Sequence, residues 1–460
     1  MYFIDFNNRI HVHFIGIGGV SMSGLAEILL CAGFTVSGSD IKDSATTQHL
    51  KSLGANIKIG QQASNITDDI QLVVYTAAIH EDNPEYQAVI NKGIPMMSRA
   101  TLLGQIMSNY KHAICVSGTH GKTTTTSMLS HILLEANLDP TISVGGNLKA
   151  INGNIRVGQS DTFITEACEY TNSFLEFFPS IAVILNVEED HMDFFHDLRE
   201  IENSFKKFAA LVPEDEGIVV INGDMTSFPY IKEGLQCAML TFGTKAHNDY
   251  YPENIEYDEL GNGHFDVMEY GQFLTHINLS VPGIHNINNA LAAVATARSL
   301  NIDLTAICKG LQSFSGADRR FQYKGEISGL TIIDDYAHHP TEIRTTLSAA
   351  SKYPHKELWT VFQPHTYTRT LAFLSDFADA LSLSDHVILT DIYAAREKDT
   401  GKVSSSDIRK LLEEKGCDVY HFHSFDEIEK FILENCSNND LLITMGAGDV
   451  VLIGERLLGQ

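Results

Sequence analysis

The segment Gly118-Thr119-His120-Gly121-Lys122-Thr123-Thr124-Thr125 constrains this chain more than any other. The apolar run Ala113-Ile114-Cys115-Val116 before it reads as a buried strand, and a helical pattern follows to about Ala136. Glycines let the backbone turn tightly enough for several N–H groups to face one phosphate, and the start of the next helix adds more. Lys122 is placed to reach β- and γ-phosphates, and Thr123 to coordinate magnesium. The strict phosphate-loop spacing asks for a glycine at position 116, where this chain has Val116, so the loop is a shortened variant. Gly118, Thr119, His120, Gly121, Lys122, Thr123 and Thr124 are the expected ATP contacts. Motor, kinase and ligase chemistry all stay open at this point.

A second glycine turn lies near the N-terminus. His11 to Ile17 reads as a strand that runs into Gly16-Ile17-Gly18-Gly19-Val20-Ser21; Leu25 to Cys31 reads as a helix, and Phe34 to Asp40 as the next strand. Such a turn holds a diphosphate, and the acid at the tip of the following strand, Asp40, receives ribose hydroxyls. Ser21 stands where a dinucleotide fingerprint has its third glycine. The diphosphate of a nicotinamide cofactor or of a UDP-sugar fits the same turn. Gly16, Gly18, Gly19, Ser21 and Asp40 are the candidate contacts.

Two acidic segments follow further apolar strands. Thr165-Glu166-Ala167-Cys168-Glu169-Tyr170 comes after Thr162 to Ile164, and Asn186-Val187-Glu188-Glu189-Asp190-His191-Met192-Asp193 after Ile181 to Leu185. Functional groups of α/β sheets gather beyond the carboxyl ends of strands. Carboxylates beside a polyphosphate make chemical sense with a cation between them, and magnesium prefers oxygen ligands. Thr123, Glu166 and His191 are the expected metal-site residues. Glu169, Asp190 and Asp193 rank behind them.

The 460 residues are enough for about three domains. The breaks read as 1–108, 109–318 and 319–460. The last part alternates strands at Leu330 to Ile333, Leu358 to Phe362, Val387 to Leu389 and Leu441 to Thr444 with helical patterns, which makes a third α/β unit. His285 to Leu300 reads as a helix, and Tyr250 to Gln272 as hairpin and loop. A formal charge of −26 makes non-specific nucleic-acid binding a poor default, although a small anion needs only a local positive site. No apolar run approaches the roughly 20 residues of a membrane helix. No basic region with an apolar stretch opens the chain, and the seven cysteines are scattered, which fits reduced thiols in the cytosol. A cytoplasmic protein without membrane insertion is expected.

With these stretches in place, the chain resembles the Mur ligase family. The resemblance rests on His13-Phe14-Ile15-Gly16-Ile17-Gly18-Gly19-Val20-Ser21-Met22-Ser23-Gly24 with Ser37-Gly38-Ser39-Asp40, on the phosphate loop, and on both acidic segments. Pro282-Gly283-Ile284-His285-Asn286-Ile287-Asn288-Asn289-Ala290 and Asp334-Asp335-Tyr336-Ala337-His338-His339-Pro340 complete it. It runs from residue 11 to Gly446-Ala447-Gly448-Asp449. It implies a three-domain α/β architecture: a Rossmann-like N-terminal domain for a UDP-sugar, a central P-loop ATPase-like domain for ATP and Mg2+, and a C-terminal Rossmann-like domain for the incoming amino acid. The first segment and the double histidine point to the member that adds L-alanine to UDP-N-acetylmuramate and to its nearest relative; the alanine-adding reaction, through an acyl phosphate in peptidoglycan precursor synthesis by a monomer or homodimer, is the one expected.

The resemblance also implies residue roles. Lys122, His191, His339 and Arg369 form the catalytic set. His285 and Asn289 approach the adenine of ATP, and Arg319 and Asp335 contact the nucleotide. His339 and Arg369 face the amino acid or the lactyl end of the sugar; a guanidinium clamps a carboxylate through two parallel hydrogen bonds. Two positions depart from the usual alanine-adding pattern: Cys168 replaces an Asp and Thr366 an Arg. The carbamylated lysine of sister ligases would fall near Lys206, but Phe205 aligns there, so no carbamylation is expected. Three rivals stand beside this reading. One is a ligase that recycles murein tripeptide onto the same UDP-sugar. Another is a non-catalytic ATP/UDP-sugar sensor, which would need Lys122 but not His339 or Arg369. An NAD-dependent oxidoreductase would explain residues 11–40 and leave Lys122, Glu166 and His191 idle.

Overall fold

The computed structural model describes residues 3–76, 78–395 and 397–460. Three sheets follow one another along the chain. In the first, five parallel strands lie in the order Asn56–Ile59, Thr35–Asp40, His11–Ile15, Leu72–Tyr75 and Met96–Ser98. The chain leaves the middle strand toward one edge and later resumes on its other side. A crevice therefore opens beyond the carboxyl end of His11–Ile15, where the Gly16 turn sits. Parallel strands covered on both faces need near-continuous apolar sequence, and Leu72, Val73 and Val74 are all fully buried.

The central sheet has ten strands. His112–Ser117 lies between Ile181–Ile184 and Thr162–Ala167, parallel to both, with Val116 level with Val183 on one side and Glu166 on the other. That register brings the phosphate loop and both acidic segments to one sheet edge. Thr162–Ala167 is longer than the sequence pattern indicated, so Glu166 is a strand residue. Helix Lys122–Glu135 packs against Leu304–Ser313, so closely that a side chain at Gly310 would lie 2.5 Å from the Ile132 Cα.

The hairpin expected over 250–272 is present, and a further strand extends it. Tyr250–Tyr257, Asn262–Glu269 and Gln272–Pro282 form an antiparallel meander that extends the central sheet. Gly263, Phe265 and Val267 face inward between polar neighbours, a period-two pattern that the acidic outer face had obscured.

The third sheet runs Gln322–Ile327, Leu330–Asp335, Leu441–Met445, Leu358–Phe362, His386–Leu389 and Asp418–His421, antiparallel only at its first pair. His339, in the loop after Leu330–Asp335, and Arg369, on the short helix after Leu358–Phe362, both reach the central sheet edge. Among the described residues no helix is long and apolar enough to cross a membrane. All seven cysteines are free.

Candidate active site

Gly118 and Gly121 take positive φ angles of 145° and 84°, and Gly121 forms the N-cap of the helix Lys122–Glu135. A side chain at Gly121 would meet the Asn289 Oδ1 at 2.7 Å. The Lys122 ammonium folds back onto the Thr119 carbonyl (3.1 Å) and the Glu169 carboxylate (3.1 Å), and it also donates to the Gly118 carbonyl. Burial penalises its charge, but the carboxylates around it, chiefly Glu169, outweigh that and hold its pKa above the usual lysine range. Glu169 is 2% exposed and also lies 3.7 Å from the His191 imidazole. The carboxylate paired with Lys122 is therefore Glu169, ranked behind Glu166 in the sequence reading.

A cavity of about 320 Å3 opens beside the loop. His120, Gly121, Thr123, Thr124, His285, Asn289 and Asp335 line it, so it gathers most of the expected nucleotide contacts. Burial, reinforced by Arg320, lowers the His285 pKa to about 4, leaving a neutral ring at the start of helix Ile284–Ser299. Burial raises the Asp335 pKa to about 6, although Arg320 and two backbone N–H groups, from Phe321 and Ala337 at 2.7 Å, oppose it. Arg319 is not brought to this cavity. Its guanidinium donates to Asp334 (3.0 Å) and to the carbonyls of Gly448 (3.0 Å) and Gly446 (2.7 Å), all within the third domain. The neighbouring Arg320 lines the cavity instead and lies 3.7 Å from Glu342.

The expected metal-site residues surround Lys122 without touching one another. Glu166 accepts the Gly145 N–H, and Gly146 lies against the Thr123 methyl group, so Glu166 and Thr123 share the Gly145–Gly146 turn. A carboxylate and a hydroxyl beside a phosphate loop suit magnesium, a cation that favours oxygen ligands. His191 has a positive φ of 54° and packs on the Tyr170 ring at 4.6 Å. Other histidines approach a shared ligand geometry: nitrogen and oxygen atoms of His120, Glu188 and His339 all lie within 4.8 Å of one another, as do those of Asp391, His421 and His423.

Segment 188–191 is also where the third domain grips the central one. Arg369 donates to Asp190 at 2.7 Å, Thr341 to Glu188 at 2.9 Å, and His339 meets the Glu189 carbonyl at 3.0 Å. His120 lies 3.2 Å from Glu342 and 3.6 Å from Glu188. Burial opposes its charge, but these two carboxylates raise its pKa to about 9. Asp190 is held far below the usual carboxylate range: burial acts against ionisation, and the Arg369 charge overcomes it. His339 N-caps helix Pro340–Ala350 by accepting the Thr341 N–H on Nδ1 (3.3 Å), which leaves Nε2 protonated toward Glu189. In this arrangement neither nitrogen is open to take a proton. Arg369 rides on the short helix Tyr367–Ala372, whose N-cap Thr366 takes φ 66° and ψ 145°. A β-branched residue there costs about 1–3 kcal/mol, so the surrounding fold forces that helix into place. Phe205 is buried in the core, and Lys206 pairs with Glu233 at 2.9 Å.

At the first glycine turn, Gly16 has a φ of 82°, and the Gly16 and Ile17 N–H groups both bond the Ser39 carbonyl. Asp40 accepts the Gly18 N–H at 2.8 Å, so this carboxylate fixes the turn itself. Helix Val20–Cys31 starts at Gly19 with no side-chain cap, which leaves its first N–H groups available to an anion. Ser21 reaches a second cavity of about 130 Å3, between the first and central domains, which Arg99, Glu166 and Cys168 also line. Arg99, Arg320, Glu188 and Glu342 were not singled out from sequence. Only the stretch around Glu188 carried a signal there, as an acidic run after a strand.

Three family models match the chain in succession: the Mur ligase family catalytic domain over residues 11–111, the Mur ligase middle domain over 116–297, and the Mur ligase glutamate ligase domain over 319–448. A curated UDP-N-acetylmuramate–L-alanine ligase of Agathobacter rectalis is 59% identical, and one of Lachnospira eligens 55%, each alignment covering 100% of both chains. The solved UDP-N-acetylmuramate-alanine ligase MurC of Thermotoga maritima superposes with a TM-score of 0.79 at 30% identity, covering 98% of this chain and 99% of that one. A murein peptide ligase of Psychrobacter arcticus follows at 0.69 and 26%, covering 98% of each chain. Three consecutive models of one family and full-length relatives of this identity make the chain a member of the Mur ligase family.

Proposed function

We propose that this chain joins L-alanine to the lactyl carboxylate of UDP-N-acetylmuramate in the cytoplasm, consuming ATP and releasing UDP-N-acetylmuramoyl-L-alanine, ADP and phosphate. One observation carries the reading: Thr123 lines the cavity beside the phosphate loop, Glu166 lines the cavity leading to the first glycine turn, and Lys122, next to Thr123 in the chain, is within reach of the Glu166 charge. A phosphoryl donor in the first cavity and an acceptor in the second would meet at Lys122. The full-length likeness to curated L-alanine ligases supports this choice of substrates.

A carboxylate is a poor electrophile, because its charge repels a nucleophile. Transfer of the γ-phosphoryl group to it gives an acyl phosphate and ADP. The neutral amine of alanine then adds to the acyl carbon, and the tetrahedral adduct expels phosphate to leave the amide. Lys122 supplies positive charge where phosphate oxygens gain electron density. Magnesium, when bound, neutralises further phosphate charge, and Thr123 and Glu166, with His191 nearby, are the residues that would hold it. His191 is better placed than His339 to receive the amine proton, because its Nε2 faces Glu169 and Asp190 at 3.7 and 3.8 Å. Arg369, fixed by Asp190, places one charge where the carboxylate of alanine can be steered. The contacts of Glu188, Glu189 and Asp190 with the third domain close the edge against water, which would otherwise hydrolyse the acyl phosphate.

The test is phosphate release with ATP, magnesium, UDP-N-acetylmuramate and L-alanine, each omitted in turn, with product mass. Release that needs all four, and a gain of one alanine residue, is the expected result. Turnover with murein tripeptide in place of alanine would assign the recycling reaction instead. A folded, ATP-binding protein inactive with both acceptors would exclude ligation.

A further inference from the structure

Arg99 begins the helix Arg99–Met107, directly after the N-cap Ser98. That is the positive end of the helix dipole, where a cation is disfavoured. Its guanidinium is partly buried, yet among the described residues it makes no hydrogen bond or ion pair. Burial penalises that charge, and no carboxylate among the described residues pairs with it, so an anion entering the cavity would be drawn to it. The cavity of about 130 Å3 that Arg99 lines has no other cation on its walls. Cys168 lines the same cavity wall as Arg99. Glu166 on the same wall is committed by one oxygen to the Gly145 N–H.

The cavity touches Ser21 of the first glycine turn at one side and Glu166 of the central sheet edge at another. Its volume suits a small acyl group. We propose that Arg99 is the anchor for the carboxylate of the lactyl group, holding the phosphoryl acceptor between the glycine turn and the phosphate loop. This rests on the functional reading above. In that reading the diphosphate sits on the Gly16–Ser21 turn, and the next anionic group of the sugar is the carboxylate that Lys122 must see phosphorylated. Arg99 thus discriminates sugars that carry the lactyl acid from those that lack it.

UDP-N-acetylglucosamine has the same nucleotide and diphosphate but no lactyl carboxylate. Affinities for it and for UDP-N-acetylmuramate are measured calorimetrically with magnesium and a saturating non-hydrolysable ATP analogue, for the wild type, Arg99→Met and Arg99→Lys. Arg99→Met is expected to weaken UDP-N-acetylmuramate by about 10- to 100-fold, as loss of a charged hydrogen-bond pair does. UDP-N-acetylglucosamine should change less than about twofold. Arg99→Lys, which keeps charge and loses the fork, should fall between. Unchanged affinity for the ATP analogue shows that the variants are folded. Equal weakening of both sugars would overturn the proposal, assigning Arg99 to the diphosphate. So would no weakening of either. Wild-type protein that binds neither sugar would bring down the functional reading itself, a result distinct from wild-type binding that Arg99→Met leaves intact.

Discussion

The turn at Gly16–Gly19 and the turn at Gly118–Lys122 both lead from a middle parallel strand into a helix, yet they treat charge in opposite ways. In the first, Asp40 spends an oxygen on the Gly18 N–H and no cation stands in the turn, so it offers backbone N–H groups and the Ser21 hydroxyl. In the second, an ammonium is built into the loop and balanced by Glu169, a carboxylate 2% exposed. Holding a diphosphate whose charge does not change needs dipoles and geometry alone. Moving a phosphoryl group needs a full charge where electron density shifts, and a buried full charge needs a partner when it is not at work.

The comparison breaks most visibly at Lys122. Lys122→Met should cut turnover by about a hundredfold to a thousandfold, while UDP-sugar affinity stays as in the wild type. It should also destabilise the fold by about 3–5 kcal/mol, because Glu169 remains buried without its cation. Adding Glu169→Gln should restore the melting temperature but not the turnover; a double mutant as unstable as the single one would refute the pairing.

Gly18→Ala tests the other turn. A Cβ there would sit 2.8 Å from the Asp40 carboxylate, so the turn must open. KM for the UDP-sugar is expected to rise about tenfold, or about 1.4 kcal/mol, with KM for ATP unchanged. Steady-state kinetics decide it, and equal rises for both substrates would erase the distinction between the turns.

A weaker effect is expected from pH at the contact between the central and third domains. The His120 pKa is raised to about 9 in the folded chain, against about 6.5 for a free imidazole. Its ionic contribution is complete below about pH 6.5 and lost as pH rises through about 9. Small-angle scattering should show a larger radius at about pH 10 than at about pH 6, and Glu342→Gln should shrink that difference. A radius independent of pH in the wild type would count against the clamp.

The smallest effect sharpens the meaning of the buried pair. Lys206 and Glu233 form an exposed ion pair at 2.9 Å. Lys206→Ala should change stability by less than about 0.5 kcal/mol and leave turnover alone, as read by thermal melting and the phosphate assay.

Both turns were legible in the sequence because glycine, lysine and threonine at fixed local spacing define them. So were the three α/β units, since apolar runs between turns show directly. Partner choice was not legible. Glu169 meets Lys122 across 47 residues of chain, a pairing that no local residue pattern announces. Arg319 and Arg320 are adjacent and chemically alike. The positive φ of 59° at Arg319 separates them, so one faces Asp334 and the other the nucleotide cavity. His339 reads as a catalytic imidazole until the Thr341 N–H is seen to occupy it. Arg99 follows a serine at a helix start and looks like an ordinary first-turn residue until its lack of a partner is visible in three dimensions.

The central claim is that the phosphoryl group passes from ATP to a sugar carboxylate at the edge where Lys122 lies. UDP-N-acetylmuramate labelled with oxygen-18 in its lactyl carboxylate tests this directly. With ATP, magnesium and L-alanine, the account predicts that one labelled oxygen leaves in the inorganic phosphate, since the acyl–oxygen bond is the one broken by the amine. Phosphate free of label, with the amide still formed, would contradict it.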